Sequence, residues 1–120
     1  MNHSVLAARK SAHITAEVSG LSKDEITLAT GNHLSATVLG KMDDGTFIQL
    51  DLNPAATEGN VASAVLFGST DASVAAVPAL AHTRLTAALD ARLVWPDGIT
   101  APQKAAAIAE LATQQIIVRA

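Results

Sequence analysis

Residues 36–50 read ATVLGKMDDGTFIQL, in which an Asp-Asp-Gly turn separates two short apolar segments. Glycine accepts the positive backbone φ angle that tight turns require, so Asp-Gly between alternating apolar segments is a strong signal of a β-hairpin. We therefore predict antiparallel strands at about 36–40 and 46–50. Asp43 and Asp44 then lie at the turn in water, which argues against a paired-carboxylate site for acid–base or metal chemistry there.

The segments on either side of this hairpin also alternate with a period of two, which is typical of half-buried strands. We expect strands at about 26–30, 61–67 and 73–77. A loop is expected at 53–60, because an Asn-Pro pair opens this segment and a Gly-Asn pair closes it. The pattern of residues 79–95 fits either a strand or a helix and leaves the choice open.

One helix is clearly predicted near the C-terminal end of the sequence. Thr100 suits the N-cap, Pro102 falls in the first turn, where its missing N–H has no intrahelical partner, and Gln103 completes a capping box. Apolar residues at helical spacing extend the helix over 101–114. Residues 116–118, all β-branched, predict a final strand. The sequence thus indicates a mostly β fold with one C-terminal α-helix.

The composition predicts a thin hydrophobic core. Apolar residues make up 49% of the 120, but 25 residues are alanine and only 2% of the chain is aromatic. Alanine adds little burial, whereas a fully buried Leu or Ile contributes about 1.5–3 kcal/mol. The chain has no cysteine, so disulfides cannot compensate. We therefore expect stability to come partly from association with other chains.

Charge and hydropathy argue against nucleic-acid and membrane partners. The net charge is −3 with no basic block, whereas nucleic-acid binding needs clustered cations and often aromatic stacking. Spanning a membrane requires about 20 apolar residues in succession, and the longest apolar segments here have strand length. The first ten residues lack the pattern of a secretory signal.

Motifs for catalysis, cofactors and metals are also lacking in the sequence. The nucleophile elbow, the phosphate-binding loop and the dinucleotide fingerprint do not occur. The four histidines are not paired at the spacing of a helix or hairpin metal site. We predict no catalytic, cofactor-binding or metal-binding residues and no enzymatic activity.

Residues 1–20 are polar and alternating, and we interpret them as an extended N-terminal arm. Its apolar residues are candidates for contact with a partner: Val5, Leu6, Ile14, Ala16 and Val18. Two interpretations remain open, an ordinary edge strand of the domain and a segment that adds a strand to a partner's sheet. Within the domain, Trp95, Pro96 and His82 are candidates for a core anchor or a subunit interface, since large rings bury most surface in such places.

Three groups of motifs, taken in order, resemble a known family. They are SKDEIT at 22–27 with TVLG at 37–40; TFIQLD at 46–51; and LVWP at 93–96 with QKAAAIAELA at 103–112 and IIV at 116–118. Their order and spacing are similar to those of the head decoration proteins of tailed phages, the bacteriophage lambda protein D family. Gln115 departs from the pattern, because a glycine is expected between the helix and the last strand.

The resemblance implies a β-clip-like domain at residues 21–120 that forms homotrimers. Such trimers bind the outer surface of the expanded capsid at local three-fold positions and stabilise the head against the pressure of packaged DNA. The partners implied are the major capsid protein and further copies of the chain, and the arm can pair with capsid-protein strands. The protein would be made in the cytoplasm of the bacterial host and located on the virion, with no cofactor.

Two alternatives belong to other functional classes. One is a small trimeric enzyme on a related β-clip scaffold, such as a nucleotide hydrolase with sites between subunits. It would need converging carboxylate, basic and aromatic groups, and the charges here are scattered. The other is a glycan-binding accessory protein on the virion surface, against which the shortage of aromatic residues argues.

Overall fold

A computed structural model describes residues 12–120 of the chain. In this part the protein has ten strands, one 3-10 turn (Asp90–Arg92) and one α-helix, α1 (Ala101–Thr113). The strands are β1 Ile14–Glu17, β2 Lys23–Leu28, β3 Gly31–His33, β4 Val38–Lys41, β5 Phe47–Gln49, β6 Ala62–Phe67, β7 Thr70–Ala72, β8 Val77–His82, β9 Thr86–Leu89 and β10 Ile116–Arg119. The mostly β fold with one helix near the C-terminal end is as predicted.

Five of the strands close a small barrel in the order β2-β5-β4-β6-β8. The antiparallel β2–β8 pair, in register from Lys23↔His82 to Leu28↔Val77, closes the barrel. Its interior is filled by alternate residues of the strands, which is why these segments show a period of two. The buried residues of this core are Ile26, Leu28, Leu39, Phe47, Ala64, Leu66, Ala72, Ala79 and Ala81.

The predicted hairpin is confirmed by the antiparallel pairing of β4 with β5. Gly45 has φ 90° at the turn, and Asp44 Oδ1 accepts hydrogen bonds from the Thr46 N–H and hydroxyl at 2.9 and 2.7 Å. These bonds lower the pKa of the Asp44 carboxyl. Asp44 is therefore a turn-forming residue, as expected from its position before the glycine.

The predicted strand at 73–77 is wrong, because the chain bends at residues 73–75 and the next strand begins only at Val77. Two strands flank this bend: β7 pairs with β3, and β8 pairs with β2 and β6. Asp71 Oδ1 accepts hydrogen bonds from the backbone N–H of Ser73 at 2.9 Å and from its hydroxyl. This local turn ends β7 after Ala72. The undecided segment 79–95 forms the rest of β8, then β9, then the 3-10 turn.

A second, three-stranded sheet, in the order β1-β9-β10, lies next to the barrel and carries α1. The helix begins with the predicted capping box of Thr100 and Gln103 and buries Ala107 and Leu111. Its Glu110 carboxylate accepts a hydrogen bond from the Ala62 N–H at 2.9 Å, which attaches the helix to β6. β10 then returns parallel to β9, with Ile116 opposite Thr86.

Alanine is the commonest buried apolar residue in the described part of the chain. Of the nineteen buried apolar residues among those described, eight are alanine and one, Phe47, is aromatic. They divide into a barrel core and a second core, which we call the helix-side core, where α1 and the three-stranded sheet pack against β4 and β6. Both cores are rich in alanine, as the composition predicted.

Candidate partner-binding surfaces

The strand β1 forms one edge of the three-stranded sheet. It pairs antiparallel with β9, and the backbone N–H of Leu89 donates to the carbonyl of His13 at 2.7 Å. Ile14 packs against the helix-side core, whereas Ala16 is exposed. For residues 14–17 the structure thus shows an edge strand of the chain's own sheet. Val5 and Leu6, the other apolar arm candidates, lie outside the described residues.

The outer edge of β1 has no strand beside it in the described part of the chain. An edge strand presents backbone N–H and C=O groups to which an extended segment of another protein can add. β1 pairs with β9 through its other edge, so this pairing does not occupy the outer edge. The structure is therefore compatible with both interpretations of the arm, and its contact with a partner stays a prediction.

Exposed apolar side chains cluster at the C-terminal end of β1. Val18, Leu21 and Leu85 are 44%, 53% and 38% exposed, and we call them the turn patch. The buried Ser22 hydroxyl holds this region together, because it accepts from the Val18 N–H at 2.7 Å and donates to the Leu85 carbonyl at 2.8 Å. The turn patch is thus built on a fixed backbone.

The outer face of the three-stranded sheet continues this apolar surface. Ala16 is opposite Ala87, which in turn is opposite Ile117, so these three residues lie in register across the sheet. Ile117 is 44% exposed. We call this row the sheet face. Contiguous exposed apolar surface is a common feature of protein-binding sites.

His82 lies inside the chain, where it belongs to a cluster that sequence reasoning missed. His82 and His13 are 0% and 1% exposed, and their rings meet edge to face with centroids 6.1 Å apart. His82 Nε2 is 2.6 Å from Glu17 Oε1. Burial lowers the pKa of His82, and together with the neighbouring imidazole it lowers the pKa of His13 to about 4. His82 is 65 or more positions from Glu17 and His13, so no local spacing could have indicated that the three meet.

Trp95 and Pro96 lie beside α1. Pro96 is buried, and the Trp95 ring packs against the helix-side core. The Trp95 Nε1–H donates to Asp90 Oδ1 at 3.0 Å, and Lys104 Nζ lies 2.7 Å from the same oxygen and 5.3 Å from the ring centroid. These contacts attach α1 to the segment that precedes it. A role for Trp95, Pro96 or His82 between subunits stays a prediction.

A polar groove of about 740 Å³ is lined by residues that include Asp24, Lys41 and Arg84. Arg84 donates to both carboxylate oxygens of Asp24 and to the Leu21 carbonyl, so its guanidinium is committed to hydrogen bonds within the chain. This pairing lowers the pKa of Asp24 and raises that of Arg84. Arg84 and Asp24 thus hold the β2 region to the segment after β8.

Residues 12–120 contain no group of three or more His, Asp or Glu side chains arranged to hold a metal ion. Over the same residues, no helix is long and apolar enough to cross a membrane.

Comparison with known proteins identifies the family. No curated protein matches the sequence. The family model of the bacteriophage lambda head decoration protein D matches residues 5–116, which is most of the chain and includes the three groups of motifs except Ile117 and Val118. A family of phage head decoration proteins implies a location on the virion capsid and a structural role. The chain belongs to the bacteriophage lambda head decoration protein D family.

Proposed function

We propose that the chain is a capsid decoration protein whose homotrimers bind the outer surface of the expanded phage head at local three-fold positions. There they stabilise the shell against the pressure of packaged DNA. The observation that carries this proposal is the family match over residues 5–116.

The surfaces around β1 support binding to a capsid protein. The outer edge of β1, which no strand of the described residues covers, offers backbone hydrogen bonds to an extended segment, and the turn patch and the sheet face offer apolar contacts next to it. Strand addition combines these two contributions, since the backbone supplies affinity and the side chains supply specificity. The major capsid protein is the occupant that we assign to this combined surface.

The core supports association into oligomers. A chain in which alanine makes up eight of nineteen described buried apolar residues gains less from burial than one filled with leucine or isoleucine. Association adds further buried surface and makes stability depend on protein concentration. Stability that depends on association suits a protein that works as part of a shell.

The test is mass measurement followed by capsid binding. Sedimentation equilibrium of the full chain is expected to give about 37 kDa, three times the 12.3 kDa of one chain. The protein is then mixed with expanded and with immature heads of its phage, and the heads are pelleted. Co-sedimentation with expanded heads alone supports the proposal; a monomer, or failure to bind either form, contradicts it.

A further inference from the structure

Two buried histidines connect β1 to the barrel. His13 directly precedes β1, and His82 is the last residue of the barrel strand β8. The His82 ring also meets the Phe67 ring edge to face, with centroids 5.3 Å apart. Separation of β1 from the domain would therefore expose two imidazoles that are at most 1% exposed in the folded chain.

The hydrogen bonds around these rings suit neutral imidazoles. His82 Nε2 donates to Glu17 Oε1, but within the described residues His82 Nδ1 and His13 Nε2 are buried without a partner. In a neutral ring one nitrogen is a lone-pair acceptor, which can be left unpaired at modest cost. A protonated ring carries N–H on both nitrogens, and a charged donor buried without an acceptor is strongly unfavourable.

The surrounding charges do not remove this penalty. Glu17, on β1, favours protonation of either ring, but its carboxylate is 37% exposed and also lies 3.8 Å from Lys23 Nζ. Lys23, on β2, also lies 4.4 Å from the Phe67 ring centroid and opposes protonation of His82. Each imidazolium would moreover repel the other across 6.1 Å. Glu17 can compensate one positive charge in part and cannot compensate two.

The position of β1 allows it to respond without unfolding of the barrel. Among residues 12–120, β1 has four residues and one neighbouring strand, β9, whereas the barrel strands pair on both sides. Short edge elements open with lower free energies than the core strands of a domain. We propose that the docking of β1 on β9 is pH-dependent: the strand is docked while His13 and His82 are neutral and is released in mild acid when they become protonated.

The direction follows from proton linkage. The pKa of His13 is about 4 in the docked state, against the ordinary value of 6.5, so the released state binds more protons. The docked state is therefore most stable above pH 6.5, and its stability relative to the released state decreases as the pH falls towards 4. From His13 alone, the opening equilibrium of β1 is expected to rise about 20-fold between pH 7 and pH 5, and His82 adds to this change.

Amide hydrogen exchange of the full chain at pH 7, 6 and 5, corrected for intrinsic exchange, tests the proposal. The opening equilibrium of residues 12–19 is expected to rise about 20-fold by pH 5, while that of α1 changes little. Unchanged protection of residues 12–19 would overturn the proposal. An equal loss of protection in α1 would also overturn it, because it would show global unfolding in place of strand release.

Substitution separates the histidines from other titrating groups. His13→Phe removes one titrating ring and is expected to reduce the pH dependence of residues 12–19. His33→Gln, at a partly exposed histidine on β3 that contacts the Thr30 carbonyl, is the matched control and keeps it. If His13→Phe does not fold, the ring protons of the wild-type histidines are titrated by NMR. Values near 6.5 for both His13 and His82 would then refute the proposal.

Discussion

Gln115 occupies a backbone conformation that glycine adopts at much lower cost. It follows the helix C-cap residue Gln114 and has φ 62°, in the left-handed region. A side chain there costs about 1 kcal/mol relative to glycine, because Cβ approaches the backbone. The family resemblance led us to expect a glycine at this position. The structure shows that the chain keeps the left-handed cap although a glutamine is present.

Gln115→Gly is therefore expected to raise the free energy of unfolding by about 0.5–1 kcal/mol. Urea denaturation, followed by the fluorescence of Trp95, measures this change. Gln114→Gly is the matched control: the residue is also exposed but has φ −92°, so glycine only adds backbone entropy to the unfolded state and lowers stability. Equal effects of the two substitutions would contradict the assignment of strain to Gln115.

At the scale of the elements, local signals predicted those parts of the structure that are held by local contacts. The capping box of Thr100 and the Asp-Gly turn at Asp44 each involve residues within three positions, and both are confirmed. Long-range contacts left no such signal. The contact between Glu17 and His82 spans 65 positions, and the buried Ala36, with φ 82°, bonds to both Leu66 and Val94. Only the complete tertiary fold brings these residues together.

The boundary between the arm and the domain also depends on long-range contacts, and two truncations test where it lies. Removal of residues 1–11 leaves β1 in place, whereas removal of residues 1–20 uncovers the core beneath Ile14 and the buried face of His82. The longer deletion is expected to lower the free energy of unfolding by about 2 kcal/mol or more relative to the shorter one. Thermal and urea denaturation of both chains, at equal concentration, measure the difference.

Capsid binding by the two truncations reports on the arm itself. If the arm contacts the capsid protein, both deletions weaken co-sedimentation with expanded heads. The number of chains in the oligomer stays the same. Binding by the chain without residues 1–20 that equals full-length binding would refute an arm contact. Equal stability of the two truncations would show that β1 contributes little to the domain.

At the scale of the whole molecule, four of the eight large apolar residues that are exposed in residues 12–120 belong to the turn patch or the sheet face, and the role of this surface can be tested by charge substitution. The turn patch and the sheet face adjoin the open edge of β1, whereas Val74, 99% exposed, lies in the bend between β7 and β8. Because burial of a lysine ammonium without a partner is costly, Leu21→Lys and Ile117→Lys are each expected to weaken binding to expanded heads at least tenfold. Both positions face water in the single chain, so circular dichroism and thermal stability should change little.

Val74→Lys is the matched control, because it places the same charge on a fully exposed apolar residue elsewhere on the molecule. Its binding is expected to equal that of the wild type. If Val74→Lys alone weakens binding, the capsid contact lies at the β7–β8 bend and not beside β1. Leu21→Lys or Ile117→Lys could instead lower the mass of the oligomer. That surface would then belong to the contact between copies of the chain, because a lysine at a surface that stays in water does not weaken assembly.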